Sequence, residues 1–158
     1  RDTMLLLAGT LDETRYGPSV AQHLTSAMTG RGRPGASGPL DGAGRRSIYL
    51  EVRRNFLDPF QEVFDRPVPA TTTGQRRETS VPAQAPPMMN DPFVHEQAEA
   101  FAARAQSLWS DPNERLREMV QLCFGRPPTS EEQAILEPLD TTDLAHILFN
   151  AKAFLYRN

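Results

Sequence analysis

The sequence predicts a mainly α chain, a small bundle of short helices with one short strand and a long Gly/Pro-rich loop. Three observations carry this. Apolar residues recur at helical spacing behind Asp-Pro starts in the second half of the chain. Residues 30–44 hold six glycines and two prolines in fifteen positions, a composition that opposes regular structure and marks a long surface loop. Ser47 to Val52 sets Ile48, Leu50 and Val52 against Ser47, Tyr49 and Glu51, the period-2 alternation of a short strand.

Each element follows from its residues. Asp2 to Glu13 is expected as a helix, with Met4, Leu5, Leu7, Ala8 and Leu11 on one face. Asn55 to Asp65 switches to helical period, placing Phe56, Leu57, Phe60, Val63 and Phe64 opposite Asp58, Gln61, Glu62 and Asp65. Residues 67–87 carry five prolines and are expected to be an irregular connection. Asn90-Asp91-Pro92 supplies a side-chain acceptor and then a proline whose missing N–H costs nothing in a first turn. The helix that follows should run to about Trp109. Asp111-Pro112 repeats the signal, with Leu116, Met119, Val120 and Cys123 as the next stripe and Gly125 as its stop. Thr129 and Glu132 have capping-box spacing ahead of a helix that Pro138 limits. Thr141 to Tyr156 is expected as a final helix, with Leu144, Ile147, Leu148, Ala151 and Leu155 on one side.

In organisation, residues 1–29 read as an N-terminal helix and linker, 30–89 as a Gly/Pro/Arg-rich loop with a strand and a helix, and 90–158 as the helical bundle. A chain of 158 residues is long enough for one core without disulfides. The one cysteine, Cys123, excludes an intrachain disulfide, a zinc ribbon and a CxxCH haem attachment. The longest apolar run, Met4 to Ala8, is far short of the roughly 20 residues that a membrane span needs. Position 1 is Arg, and a helical pattern begins at once, so the chain is expected to be a piece of a longer protein.

Charge is unevenly laid out. Residues 31–77 hold nine Arg against five acids, a net of +4, and residues 90–149 hold eleven acids against four Arg, a net of −7. Internal pairing and solvated helix faces are the ordinary reading of such segments. The alternative is an anion- or partner-binding face made by Arg45, Arg46, Arg53, Arg54, Arg76 and Arg77, because each guanidinium offers a fork of donors matched to carboxylate, sulfate or phosphate. Nucleic acid is a poor partner for a chain of net charge −3 with only Tyr49 and Phe56 beside its Arg cluster.

Other motifs reduce to structure. Gly30-Arg31-Gly32-Arg33-Pro34-Gly35 fits GxGxxG, but Pro34, Gly38 and Pro39 stand where a phosphate-binding helix should begin. His23, His95 and His146 show no metal-ligand spacing, so no metal is expected. Cys123 sits on an apolar stripe as an inert thiol, and no serine lies in a GxSxG elbow. Asp41, Asn55, Gln84 and Asn90 read as structural-motif residues whose side chains order nearby backbone. No catalytic set stands out.

Two long blocks go beyond composition. GRGRPGASGPLDGAGRRSIYLEVRRNFLDPF (30–60) and TTTGQRRETSVPAQAPPMMNDPFVHEQAE (71–99) resemble the signature blocks of a bacterial family abundant in planctomycetes, catalogued as domain of unknown function 1553. LCFGRPPTSEEQ (122–133) and DLAHILFNAKAFLYRN (143–158) resemble the closing helices of that domain. The resemblance covers nearly the whole chain but only the C-terminal part of the family's domain. It implies a large exported protein, periplasmic or extracellular, with a companion uncharacterised domain upstream and often a cytochrome-c-like domain. Any haem c would then belong to that upstream region, with no cofactor held here. The family's genomic setting implies handling of complex, often sulfated, polysaccharides. Pro86-Pro87 stands where the family usually has an apolar pair, which argues against a helix through residues 83–90.

Two functional expectations follow. The first is a non-catalytic or accessory part of a multidomain protein whose Arg-rich face docks on the upstream domain or binds an anionic glycan. The second is a composite enzyme site, polysaccharide-degrading or haem-linked, that upstream domains complete, with Asp41 and Asp65 as its acids.

Overall fold

The computed structural model describes residues 1–67, 69, 72, 74 and 84–156. The chain is mainly α. Its helices are α1 (Asp2–Ala8), α2 (Pro59–Glu62), α3 (Ala85–Asn90), α4 (Pro92–Leu108), α5 (Pro112–Phe124), α6 (Ser130–Leu136), α7 (Thr141–Asn150) and α8 (Lys152–Leu155). It falls into two compact units, Arg1–Leu11 with Met88–Asn158, and Asp12–Pro87.

The first unit is the helical one. α4 packs against α7 and α1, and α7 packs in turn against α5 and α8. Ala98, Ala102 and Ala105 are buried on α4, and such small side chains let neighbouring helices approach closely. Phe149 of α7 is the hub: it is fully buried, stacks on Phe101 at 5.7 Å and meets Phe154 at 5.3 Å. The buried Gln97 is satisfied, its Oε1 accepting from Thr10 Oγ1 at 2.8 Å.

Helix starts lie where the cap chemistry puts them. Asp91 accepts from Phe93 N and Asp111 from Glu114 N, each ahead of a proline in the first turn. The capping box is complete, with Glu132 N donating to Thr129 Oγ1 at 3.2 Å and Thr129 N to Glu132 Oε2 at 2.7 Å. Arg126 forks onto the same carboxylate at 2.7 and 2.6 Å. Arg126 first, and then the Thr129 amide, lower the Glu132 carboxyl from its ordinary 4.5 to about 2. A carboxyl depressed on folding stabilises the fold above its unfolded value, and that contribution is lost as pH falls. The urea midpoint should therefore drop between about pH 4.5 and pH 2. Glu132→Gln should flatten that part of the profile, and an unchanged slope would contradict the pairing. The effect is small, because solvent screens the pair.

Helix ends depart from the sequence expectation. α1 stops at Ala8 instead of reaching Glu13, because Gly9 takes a left-handed φ of 77°. There Arg104 Nη1 donates to Leu6 O at 2.9 Å and Leu7 O at 2.7 Å, satisfying carbonyls that a longer helix would have used. The final helix breaks at Ala151, whose ψ of 142° is extended, and Ile147 is exposed instead of joining the buried side. At the break Asn150 Nδ2 donates to His146 O at 2.8 Å and Met88 O at 3.2 Å. Pro86-Pro87 does not exclude a helix: both prolines lie in the first turn of α3, where no amide donor is required.

The second unit is built mostly from turns. Its buried apolar side chains, among the described residues, are Leu24, Phe56 and Phe60. Residue 20 is its spine: Val20 N donates to Tyr49 O at 2.9 Å, and Val20 O accepts from Glu51 N at 2.8 Å. The expected strand over 47–52 is a correction. Ser47–Tyr49 forms a 3-10 turn, the pairing beside it is a single bridge between Val20 and Leu50, and Ile48 and Val52 face outward. Turn bonds from Tyr49 N to Arg46 O and Leu50 N to Ser47 O have claimed the donors that a ladder would need. The helix expected over 55–65 shrinks to α2, because Pro59 fixes its first turn and Asp58 caps it by accepting from Phe60 N at 3.0 Å. Asp65 ends the segment at φ 58°.

The Gly-rich loop is partly interior. Gly38 N donates to Gln22 O at 2.8 Å, and Leu24 N donates to Ser37 Oγ at 2.8 Å. A Cβ on Gly38 would lie 1.8 Å from Ala21 O, so only glycine fits that approach.

Candidate functional site

The Arg residues singled out from the sequence have unlike surroundings. Arg45 is spent inside the Asp12–Pro87 unit. Its Nη2 donates to Tyr16 O at 2.8 Å, its guanidinium lies 4.3 Å from the centre of the Tyr49 ring, and Asp12 Oδ2 is 3.7 Å from its Nε. Only 12% of the side chain is exposed. Tyr49 closes the arrangement, its hydroxyl accepting from Tyr16 N at 2.9 Å, while Asp12 N donates to Gly44 O at 2.9 Å. The Thr14 hydroxyl and amide, and then Arg45, hold the Asp12 carboxyl below its ordinary value. Arg45 thus ties residues 12–16 to residues 44–49. Arg45→Ala should lower unfolding stability by about 2 kcal/mol, the combined size of a charge-assisted hydrogen bond and a partly buried cation–π contact. An unchanged denaturation midpoint would show that the cluster holds nothing together.

Arg46, Arg53, Arg54 and Asn55 are exposed. Arg53 Nη2 reaches Glu51 Oε1 at 2.9 Å in a surface pair, the kind that exchanges readily with solvent and other anions. Tyr16, absent from the sequence-derived candidates, is 80% exposed at a left-handed φ of 65°. Its backbone is held by Arg45 and Tyr49, which ties residue 16 to the segment that carries Arg46. A tyrosine ahead of Gly-Pro reads in sequence as turn punctuation, which is why it was missed. Arg76 and Arg77 lie outside the described residues.

Of the remaining candidates, Asp41 and Gln84 act on backbone. Asp41 caps the 3-10 turn Gly42–Gly44, its Oδ1 accepting from Ala43 N at 2.9 Å. Gln84 is buried and donates from Nε2 to Val63 O at 3.1 Å. Asn90 is exposed at the end of α3. Asp65 is half-buried at the turn after α2. Gly30, Gly32 and Gly35 face open space, so the GxGxxG match forms no close cradle.

These blocks lie within a longer match. A family model described as PSD1, protein of unknown function (DUF1553), matches residues 1–139. The chain belongs to this family. No curated protein matches it, and no solved structure does. In this DUF1553 member Cys123 is the one cysteine, so the sequence contains no CxxCH motif. Burial pushes the Cys123 thiol up to about 12, which disfavours its thiolate form. Among the described residues no three His, Cys, Asp or Glu side chains converge as metal ligands, and no helix is long and apolar enough to cross a membrane. His23 Nδ1 lies 3.2 Å from Gly38 O in the loop unit, whereas His95 and His146 meet on α4 and α7.

Proposed function

We propose that this DUF1553 chain is a non-catalytic, accessory module of an exported multidomain protein, and that residues 46–55 together with Tyr16 bind an anionic, sulfated glycan. The observations that carry the reading are the exposure of Arg46, Arg53 and Arg54 and that of Tyr16, which is 80% exposed. Guanidinium forks match sulfate oxygens, and an exposed aromatic ring offers an apolar face to the C–H side of a sugar. The Arg45 cluster supports the reading, because it ties residue 16 to the segment that carries Arg46. The setting is periplasmic or extracellular, and the upstream domain of the same protein is the second partner. Any haem c of the longer protein would be carried by other segments. A composite enzyme site on Asp41 and Asp65 is the weaker reading, since Asp41 Oδ1 is committed to the Ala43 amide.

Titration of the chain with dextran sulfate and with neutral dextran tests the proposal. Saturable binding to the sulfated polymer alone is expected. Equal binding to both, or binding to neither, removes the glycan reading.

A further inference from the structure

We propose that His95 and His146 form a two-imidazole site for a divalent first-row transition-metal ion on the helical unit. The two rings belong to α4 and α7, and their centroids are 4.4 Å apart with planes tilted by 39°. His146 Nε2 lies 3.3 Å from Met88 O. A carbonyl oxygen only accepts, so Nε2 carries the proton of the neutral ring and Nδ1 keeps the lone pair. A ligating histidine is held in this way, its second nitrogen bonded to a backbone carbonyl that sets ring orientation and tautomer.

The anchor is rigid. Met88 is 1% exposed, and Asn150 Nδ2 donates both to Met88 O at 3.2 Å and to His146 O at 2.8 Å. His95 is exposed, so an ion can reach the pair from solvent. With metal–nitrogen bonds of about 2.0–2.1 Å, two imidazoles sharing one ion place their centroids about 5 Å apart. The observed 4.4 Å is within a small side-chain movement of that.

The donor set selects the ion. Imidazole nitrogen suits copper, nickel and zinc, with Cu²⁺ bound most tightly, whereas Mg²⁺ prefers oxygen. With no third protein ligand among the described residues, water or an exchangeable ligand completes the coordination.

Calorimetric titration of the intact chain with CuCl2, ZnCl2 and MgCl2 tests the site. Cu²⁺ should bind more tightly than Zn²⁺, and Mg²⁺ should be silent. His95→Ala removes an exposed side chain, and circular dichroism will report whether the helices persist. This variant should weaken Cu²⁺ and Zn²⁺ binding by about tenfold or more, while His23→Ala leaves both unchanged. Three results would overturn the site: no Cu²⁺ binding to the unaltered chain, equal binding to His95→Ala, or a loss that His23→Ala reproduces.

Discussion

Phe149→Ala should cost the helical unit about 3–5 kcal/mol, the range for removing a buried phenylalanine whose surroundings cannot collapse into the space. Phe149 is fully buried, and two other rings lean on it: Phe101 of α4, stacked at 5.7 Å, and Phe154 of α8, tilted at 5.3 Å. Truncation therefore removes the transfer free energy of one ring and the favourable aromatic geometry of two pairs. Relaxation is limited, because Ala145 and Leu148 beside it on α7 are themselves buried. Urea denaturation followed by far-ultraviolet circular dichroism measures the loss directly. A cost below about 0.5 kcal/mol, the ordinary level for a surface change, would mean that Phe149 is not the hub of this core.

The second large effect is expected at Gly38. A Cβ there would stand 1.8 Å from Ala21 O and 2.5 Å from Ala21 C, and these are backbone atoms with no rotamer to turn away. Gly38→Ala must therefore separate residues 37–38 from residues 21–24, breaking the bonds from Gly38 N to Gln22 O and from Leu24 N to Ser37 Oγ. The cost should reach about 3 kcal/mol, the upper end for overpacking. Its readout is local: the amides of Gly38 and Leu24 should lose protection in hydrogen exchange. A variant as protected as the parent would place the Gly38 backbone elsewhere. Only three apolar side chains are buried among the described residues of this unit, so little packing offsets the loss.

What the sequence made legible is local chemistry. Asp91-Pro92, Asp111-Pro112 and Thr129 with Glu132 start helices through atoms two or three residues away, and their signals survive intact. Helix ends were harder, because distant partners set them: Arg104 takes the last carbonyls of α1, and Asn150 shares Met88 O with His146. Alternation at 47–52 failed for a related reason, since a strand exists only with a neighbour to pair with, and Val20 supplies one bridge. The candidate site shows the same division. Arg45 and Arg46 are adjacent and identical in type, yet one is enclosed by Tyr16, Tyr49 and Asp12 and the other is exposed. Nothing in the local pattern separates them. The separation comes from contacts that close only when residues 12–16 fold onto the loop.

That separation is the central claim, and one titration tests it. Dextran sulfate affinity is measured for the parent chain and for the double variant Arg46→Ser/Arg54→Ser, with thermal melting recorded on the same samples. Affinity should fall by about tenfold or more, equivalent to about 1.4 kcal/mol or more, while the melting temperature moves by no more than surface substitutions allow, because both side chains are exposed. Undiminished affinity would contradict the account and leave these arginines as solvated surface.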